Sequence, residues 1–521
     1  MEPDKYWEWG IQLTGADNCL LENIIIENCI NGINLYRGCH NNVVRNNLIK
    51  NCTGNAISIY GSNKGCWHNL IENNEIIDCA FAESTVVPGT YRIPAIPVFS
   101  NASYNIIRSN IIRQEAYVGK GRGIVLWGST YGGSDMAETG NIIENNFIEN
   151  FDIGIYIIGV NIRTGTKNLV TDTTVRYNNL TKNNVGFKQI GFEGDYSPIT
   201  LHHNNIYDNH DYGALVDTTY GTAILDARFN WWGDASGPSG MGPGAGDAIS
   251  DYVTYSPWLG YPYGTIPMTY HVDPTGKIQD AINDASAGDT IIVHEGTYNE
   301  NVVVNKALTM QGISKETTII EGSGYNPTIE ITANDVAISG FTVKQEKGLY
   351  GVLTDTSTRQ SHIMLFDNIF YSRVQLYSVD NSQVFNNEFK VGSLSLWRST
   401  GGEIYNNTIS TYGVGIALYW CNETIIENNE IFAPDKTTYS DRGIHAQYCE
   451  RLLIKTNTIL NFTAGPKPRY KHGTAGAAIY LLASSNCTLE YNLLANNTVA
   501  IFVDAAPADS CLLYTSPSPR D

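Results

Sequence analysis

Short bursts of alternating apolar and polar residues run along almost the whole chain, each closed by Gly or Asn. A period of two is the signature of half-buried strands, so the pattern predicts many short strands and few helices. One phrase recurs: an apolar residue, two variable residues, Asn or Asn-Asn, then Ile or Leu. It reads NVVRNNLIKN (42–51), NLIENNEIID (69–78), NIIRSNIIRQ (105–114), NIIENNFIEN (141–150), TVRYNNLTKN (174–183) and TLHHNNIYDN (200–209). It returns as QVFNNEFKV (383–391), EIYNNTIST (403–411), TIIENNEIFA (424–433) and LLIKTNTILN (452–461). A second phrase alternates with it: GINL (32–35), GIVL (123–126), GIYI (154–157), GIAL (415–418), GIHA (443–446) and AIYL (478–481).

The Asn positions recur at roughly 19 to 36 residues, a spacing that marks a repeat architecture. A unit this short cannot bury its own apolar face, but stacked units with strands in parallel register can. The predicted fold is therefore all-β: a parallel β-helix, or solenoid. Asn suits it twice over. It tolerates the left-handed backbone of tight turns, and its amide can hydrogen-bond to the equivalent Asn one coil on. Leucine-rich repeats share the unit length but need a dense Leu pattern and a helical half-repeat, and neither is present.

Two arrays follow one another. The first, within residues 1–259, ends in FNWWGDASGPSG…SPWLG, where the repeat stops and Trp231, Trp232 and Trp258 appear. Large aromatics there either cover the open end of the coil stack or stack on sugars. Residues 260–269 read as a linker. The second array, 270–510, opens with Ile278, Ala281, Ile282 and Ala285 at helical spacing, ending at Gly288. This predicts a short capping helix over its first coil. Residues 511–521, CLLYTSPSPRD, break the pattern and resemble translated sequencing adaptor. The N-terminus shows no signal-peptide pattern and begins in mid-repeat, as expected of a fragment.

Composition then narrows the function. Charged residues are 16% and the net charge is -19, which disfavours nucleic acid as partner because phosphate binding needs a basic patch. No apolar run reaches the roughly 18 residues of a membrane span. An acidic surface repels polyanions unless a cation bridges them, so Ca²⁺ is the one ion that a polyuronate would call for; no cofactor motif is present and no metal ligands are assigned. Ten Cys are dispersed, with Cys39, Cys66, Cys421 and Cys449 at equivalent repeat positions. They form a column of small buried residues, with rungs close enough for a disulfide. No zinc spacing is seen.

The Asn repeats, the FNWWG…GPSG…SPWL close and the IQDAI…AGDTIIV…GTYNENV opening (278–302) together resemble the NosD-like, carbohydrate-binding and sugar-hydrolysis (CASH) repeat proteins of the pectate-lyase-like superfamily. The resemblance implies a right-handed parallel β-helix and a secreted or cell-surface protein whose partner is polysaccharide or surface glycan. The opening also resembles that of pectin methylesterases, but that family's catalytic segments have no counterpart here.

Chemistry on such a fold sits on flat faces and on loops leaving one corner. Two long insertions, within 123–143 and 154–175, leave the same corner of adjacent coils and should stack into a wall; others lie at 80–100 and 113–122. A groove beside them would place Lys120, Arg122, Trp127, Tyr131, Asp135 and Glu138 against a substrate. The cluster HHNNIYDNHDYGALVD (202–217) supplies candidate catalytic acids and bases in His202, Asp208, His210, Asp211 and Asp217, and paired carboxylates or a base beside a cation can cleave glycans. The basic loop KPRYKHG (467–473) could neutralise an acidic sugar. The leading expectation is a non-catalytic protein that binds or displays against polysaccharide. The alternative is a lyase, glycoside hydrolase or epimerase with its site on the first array.

Overall fold

The computed structural model describes residues 8–80, 93–116, 121–131, 134–136, 138–161, 166–167, 170–191, 199–435, 440–464 and 475–504. Lys120, the 467–473 loop, most of the 80–100 insertion and the 511–521 tail lie outside the described residues. Two compact units divide the chain, Met1–Thr265 and Ile266–Asp521.

Each unit is a coil stack. In the first, three parallel sheets hold ten, nine and seven strands, and almost every strand pairs with its counterpart one coil on. The pairing is in register: Ile33 lies against Ile57, Ile71 against Ile107, and Ile76 against Ile112. Inward residues therefore stack into columns of Ile, Leu and Val, and the core runs inside the coils. The second unit repeats the arrangement, for example with Ile404 against Ile426 and Ile426 against Ile454. The fold is the parallel β-helix that the repeat predicts, with the right hand that the resemblance implies.

The two Asn of each Asn-Asn pair divide the labour. The first takes the left-handed conformation, as at Asn46 (φ 55°), Asn73 (54°), Asn145 (57°) and Asn428 (52°). The second turns inward and is buried. One ladder climbs the first unit through Asn47, Asn74, Asn110, Asn146, Asn178, Asn204 and Asn230. On each rung the backbone N–H and the Nδ2 both donate to the next Oδ1, at 3.0 and 3.0 Å from Asn110 to Asn146. The second unit carries its own ladder from Asn368 to Asn492. A buried amide satisfied on both sides carries no desolvation penalty, which explains a polar column inside an apolar core.

The ends are built as caps. Trp232 and Trp258 are fully buried at the close of the first unit, and the Trp258 indole donates to the Ala235 carbonyl at 3.1 Å. Both are filled into the core, so neither presents a face to a sugar. In the second unit a helix forms at Ile278–Asp284 with Ile278, Ala281 and Ile282 buried. It is capped from outside: Glu300 accepts from the Ile278 and Gln279 N–H groups at 2.9 and 3.1 Å, and Lys306 Nζ donates to the Ile282, Asn283 and Ala285 carbonyls. These two charges sit at the helix ends that favour them. The nine described cysteines are free, Cys39 in register with Cys66 inside the stack.

Candidate functional site

The outward face of the ten-stranded sheet gathers most of the chemistry of the first unit. Strand Arg122–Trp127 follows the GIxL phrase, so Ile124 and Leu126 point into the core while Val125 and Trp127 point out. In-register pairing then fixes an outward column on successive coils: Tyr36, Tyr60, Phe99, Trp127, Ile158, Ile190 and Asp217. Its first four members are aromatic and partly exposed. Tyr36 and Tyr60 are stacked at 5.5 Å, Phe99 and Trp127 meet edge-to-face at 5.8 Å, and the Arg37 guanidinium lies 4.7 Å from the Tyr36 ring centre. With strands about 4.8 Å apart, four rungs span about 15 Å.

The charged part of this face spans the first to the fourth coil beyond Phe99. The Arg122 guanidinium is 4.8 Å over the Tyr156 ring, Lys188 Nζ is 5.5 Å from the same ring, and Lys188 Nζ is 2.8 Å from Asp217 Oδ2. Tyr156 is buried with Val125, Ile158 and Ile190 in an apolar layer on the outside of the sheet. Burial pushes its phenol up to about 12, against the pull of the Arg122 charge. Although burial opposes ionisation, Lys188 and Thr219 hold the Asp217 carboxyl below the usual range. The two insertions do build at this corner. Ser129–Tyr131 pairs antiparallel with Ser134–Met136, Val160–Asn161 pairs with Thr166–Lys167, and the two hairpins touch.

The candidates from sequence fall in different places. Arg122 and Trp127 share the outward face, and Asp217 joins them. Tyr131 and Asp135 lie on the first hairpin, where only the backbone is described. Glu138 is fully buried: it occupies the interior column of Cys39, Cys66 and Ala102, paired in register with Val170. Burial drives its carboxyl well above the carboxylate range. His202 belongs to another sheet, with Nε2 2.9 Å from Asp226, whose carboxylate is also gripped by Arg228 at 2.8 Å. Asp208 takes a turn conformation (φ 58°) and lines a 320 Å³ cleft with His210, Asp211, Trp232 and Asp247. The five proposed acids and bases are therefore spread over three locations and do not converge.

Asp247 has no part in that list, yet it ends a third Asn ladder. Asn183 donates to Asn209, and Asn209 donates to Asp247 from N (3.1 Å) and Nδ2 (2.6 Å). Burial raises its carboxyl to about 6. No group of three His, Cys, Asp or Glu among the described residues is arranged to hold a metal. No helix among them is long and apolar enough to cross a membrane.

Comparison with known proteins agrees with the geometry. The family described as "Right handed beta helix region" matches residues 6–87 and 350–510. A cell surface glycoprotein of Methanothermus fervidus is 32% identical over 209 residues, covering 36% of this chain and 34% of that protein. The chain thus spans about a third of the length of this relative. Among solved structures, carrot pectin methylesterase aligns with 45% of this chain and 88% of its own at 14% identity and a TM-score of 0.28. An alginate lyase of Paenibacillus aligns with 44% and 96% at 12% identity and a TM-score of 0.26.

Proposed function

We propose that the protein is a cell-surface β-helix protein that binds polysaccharide along the outward aromatic column of its first unit. The observation that carries this reading is the run Tyr36, Tyr60, Phe99 and Trp127 on four consecutive coils, all partly exposed. Aromatic side chains offer apolar faces and edges to the C–H groups of a sugar ring, and those with a polar tip remain stable at a wet surface. A column repeated once per coil matches an extended, repeating ligand. The relationship to a cell surface glycoprotein supports placement at the surface.

Cleavage is the second reading, favoured by one observation: Lys188, Asp217 and a protonated Tyr156 lie together at the end of the column. Binding is better supported, because Asp217 is already engaged by Lys188 and Thr219 and Tyr156 is buried. The test is a glycan array with and without Ca²⁺, followed by reducing-end and unsaturated-product assays on each hit. Retention of a glycan without product supports binding, and loss of that retention in Trp127→Ala places it on the column. Product release abolished by Lys188→Ala would overturn the non-catalytic reading.

A further inference from the structure

The second unit carries an aromatic surface of its own, on the outward side of the sheet that contains strands Arg373–Tyr377, Leu394–Trp397, Val414–Tyr419, Arg442–Gln447 and Ala477–Leu482. Tyr377, Trp397 and Tyr419 stand in register on three successive coils. Trp397 and Tyr419 are stacked at 4.1 Å. The next residue along each strand forms a second row. Arg398, Trp420 and Tyr448 all hold positive φ, at 53°, 54° and 55°. Trp420 stacks on Tyr448 at 5.5 Å, and the two are 44% and 45% exposed.

Large rings also take the left-handed position at Tyr104, Tyr177, Phe229, Tyr252 and Tyr491, so what marks this surface is an exposed, stacked Trp–Tyr pair beside a cationic side chain. Arg398 lies between two rings, 5.8 Å from Tyr377 and 5.9 Å from Trp420. Its guanidinium has no hydrogen-bond or ion-pair partner among the described residues, in a chain of net charge -19. Behind the platform, His445 is 6% exposed, and its Nε2 has no hydrogen-bond partner among the described residues. Its Nδ1 is 3.4 Å from the Tyr419 hydroxyl and its ring stacks on Tyr480. A buried polar atom left unsatisfied is costly, and His445 holds an outward position of this sheet, in register with Ala417 and Tyr480.

We infer that the second unit holds a separate saccharide site, with Trp420 and Tyr448 as the stacking platform and Arg398 as the contact for a negatively charged substituent on the sugar. A carboxylate or a sulfate ester would serve, since a guanidinium binds both in fork geometry. The inference rests on the reading of the chain as saccharide-binding, but uses none of the residues of the first unit.

The full chain is titrated calorimetrically in EDTA with tetragalacturonate, its fully methyl-esterified counterpart and a sulfated galactan tetrasaccharide. The expected result is binding of one or both charged probes that survives Trp127→Ala and is lost in Trp420→Ala. Arg398→Gln should weaken the charged probes about tenfold, the worth of one charge-assisted contact, and leave the methyl ester unchanged. Trp420 and Arg398 are exposed, so both variants should keep the circular dichroism of the parent. Binding that responds to Trp127→Ala alone would overturn this site and leave the proposed function standing. Binding that responds to Trp420→Ala alone supports this site and leaves the column of the first unit to the glycan array. Equal binding of ester and acid, unmoved by Arg398→Gln, would overturn the charged contact, and no binding by any probe would overturn the site.

Discussion

Asp247 ends the short ladder that Asn183 and Asn209 begin, and replacing it by Asn should stabilise the first unit in a pH-dependent way. The carboxylate accepts the same two donors that an Asn Oδ1 accepts elsewhere, Asn209 N and Nδ2. The difference is charge. Burial raises the carboxyl to about 6, with the Asp208 carboxylate adding to the rise and the Asn209 bonds opposing it. An acid whose folded pKa is raised keeps its proton in the native state while the unfolded chain releases it near 4. The native state then binds more protons between about pH 4 and 6, so stability falls as pH rises through that window and stays lower above it. A rise of roughly two pH units is worth about 3 kcal/mol. Asp247 is only half-buried, and solvent screening reduces that to about 1–2 kcal/mol. Asp247→Asn keeps both acceptor bonds and removes the charge. The variant should match the parent below pH 4 and exceed it by about 1–2 kcal/mol above pH 6. Asp208, His210 and Asp211 also line the cleft, and the substitution leaves all three in place. Urea unfolding followed by circular dichroism from pH 4 to 8 reads the effect. A difference that does not change with pH, or a variant less stable at pH 7, would refute the reasoning.

Further outcomes follow from the same geometry. Asn146→Ala removes donations to Ile107 O and Asn178 Oδ1, strands the Asn110 N–H in the core and takes one acceptor from Asn110 Nδ2, which keeps Ile71 O and Arg108 O, so urea unfolding should show a loss of about 2–5 kcal/mol. Glu138, driven above the carboxylate range by burial, should stay protonated at pH 7. Infrared spectra should show a carboxylic-acid carbonyl band that vanishes in Glu138→Gln, and its absence from the parent would count against a buried neutral acid. Trp127→Ala should weaken retention on any glycan bound by the first unit about tenfold, a loss of roughly 1.4 kcal/mol, with urea stability little changed because the ring is on the outward face; unchanged retention would remove Trp127 from the site.

The architecture was legible because one periodicity ran through two levels. Alternation predicted strands, and the recurrence of Asn predicted coils whose equivalent residues stack, as Cys39 and Cys66 do. The same alignment also contains what a motif-by-motif reading passes over. Asn42, Asn69, Asn105 and Asn141 form a further ladder in the first unit, and the residue three before each faces inward: Cys39 before Asn42, Cys66 before Asn69, Ala102 before Asn105. Glu138 stands three before Asn141, so the repeat itself assigns it to the core, whereas its local context, an insertion rich in Gly, Ser and Asp, suggests a surface loop. His445 is the converse case. It fills the outward position of GIHA, where GIAL has Ala417 and AIYL has Tyr480, so a titratable residue on the exposed face could be read off the phrase directly.

Spatial convergence was the part that the sequence could not carry. His202, Asp208, His210, Asp211 and Asp217 are close in the chain, and in a globular enzyme such a cluster could close on one substrate. A solenoid keeps His202 and Asp217 away from Asp208, His210 and Asp211, which share one cleft, because one coil passes through three sheets facing different directions. Residues fifteen apart in one coil are therefore on different faces, while Arg122, Tyr156, Lys188 and Asp217, some thirty residues apart from one to the next, share a face. The distance that matters is counted in whole coils. A site on this fold must be assembled from equivalent positions of consecutive repeats, and that is where the aromatic column of the first unit and the Trp420–Tyr448 platform of the second both lie. It also bears on how such a surface evolves: each rung can be changed outwardly without touching the inward Ile and Asn that hold the stack, so binding can be altered one coil at a time at little cost to the core.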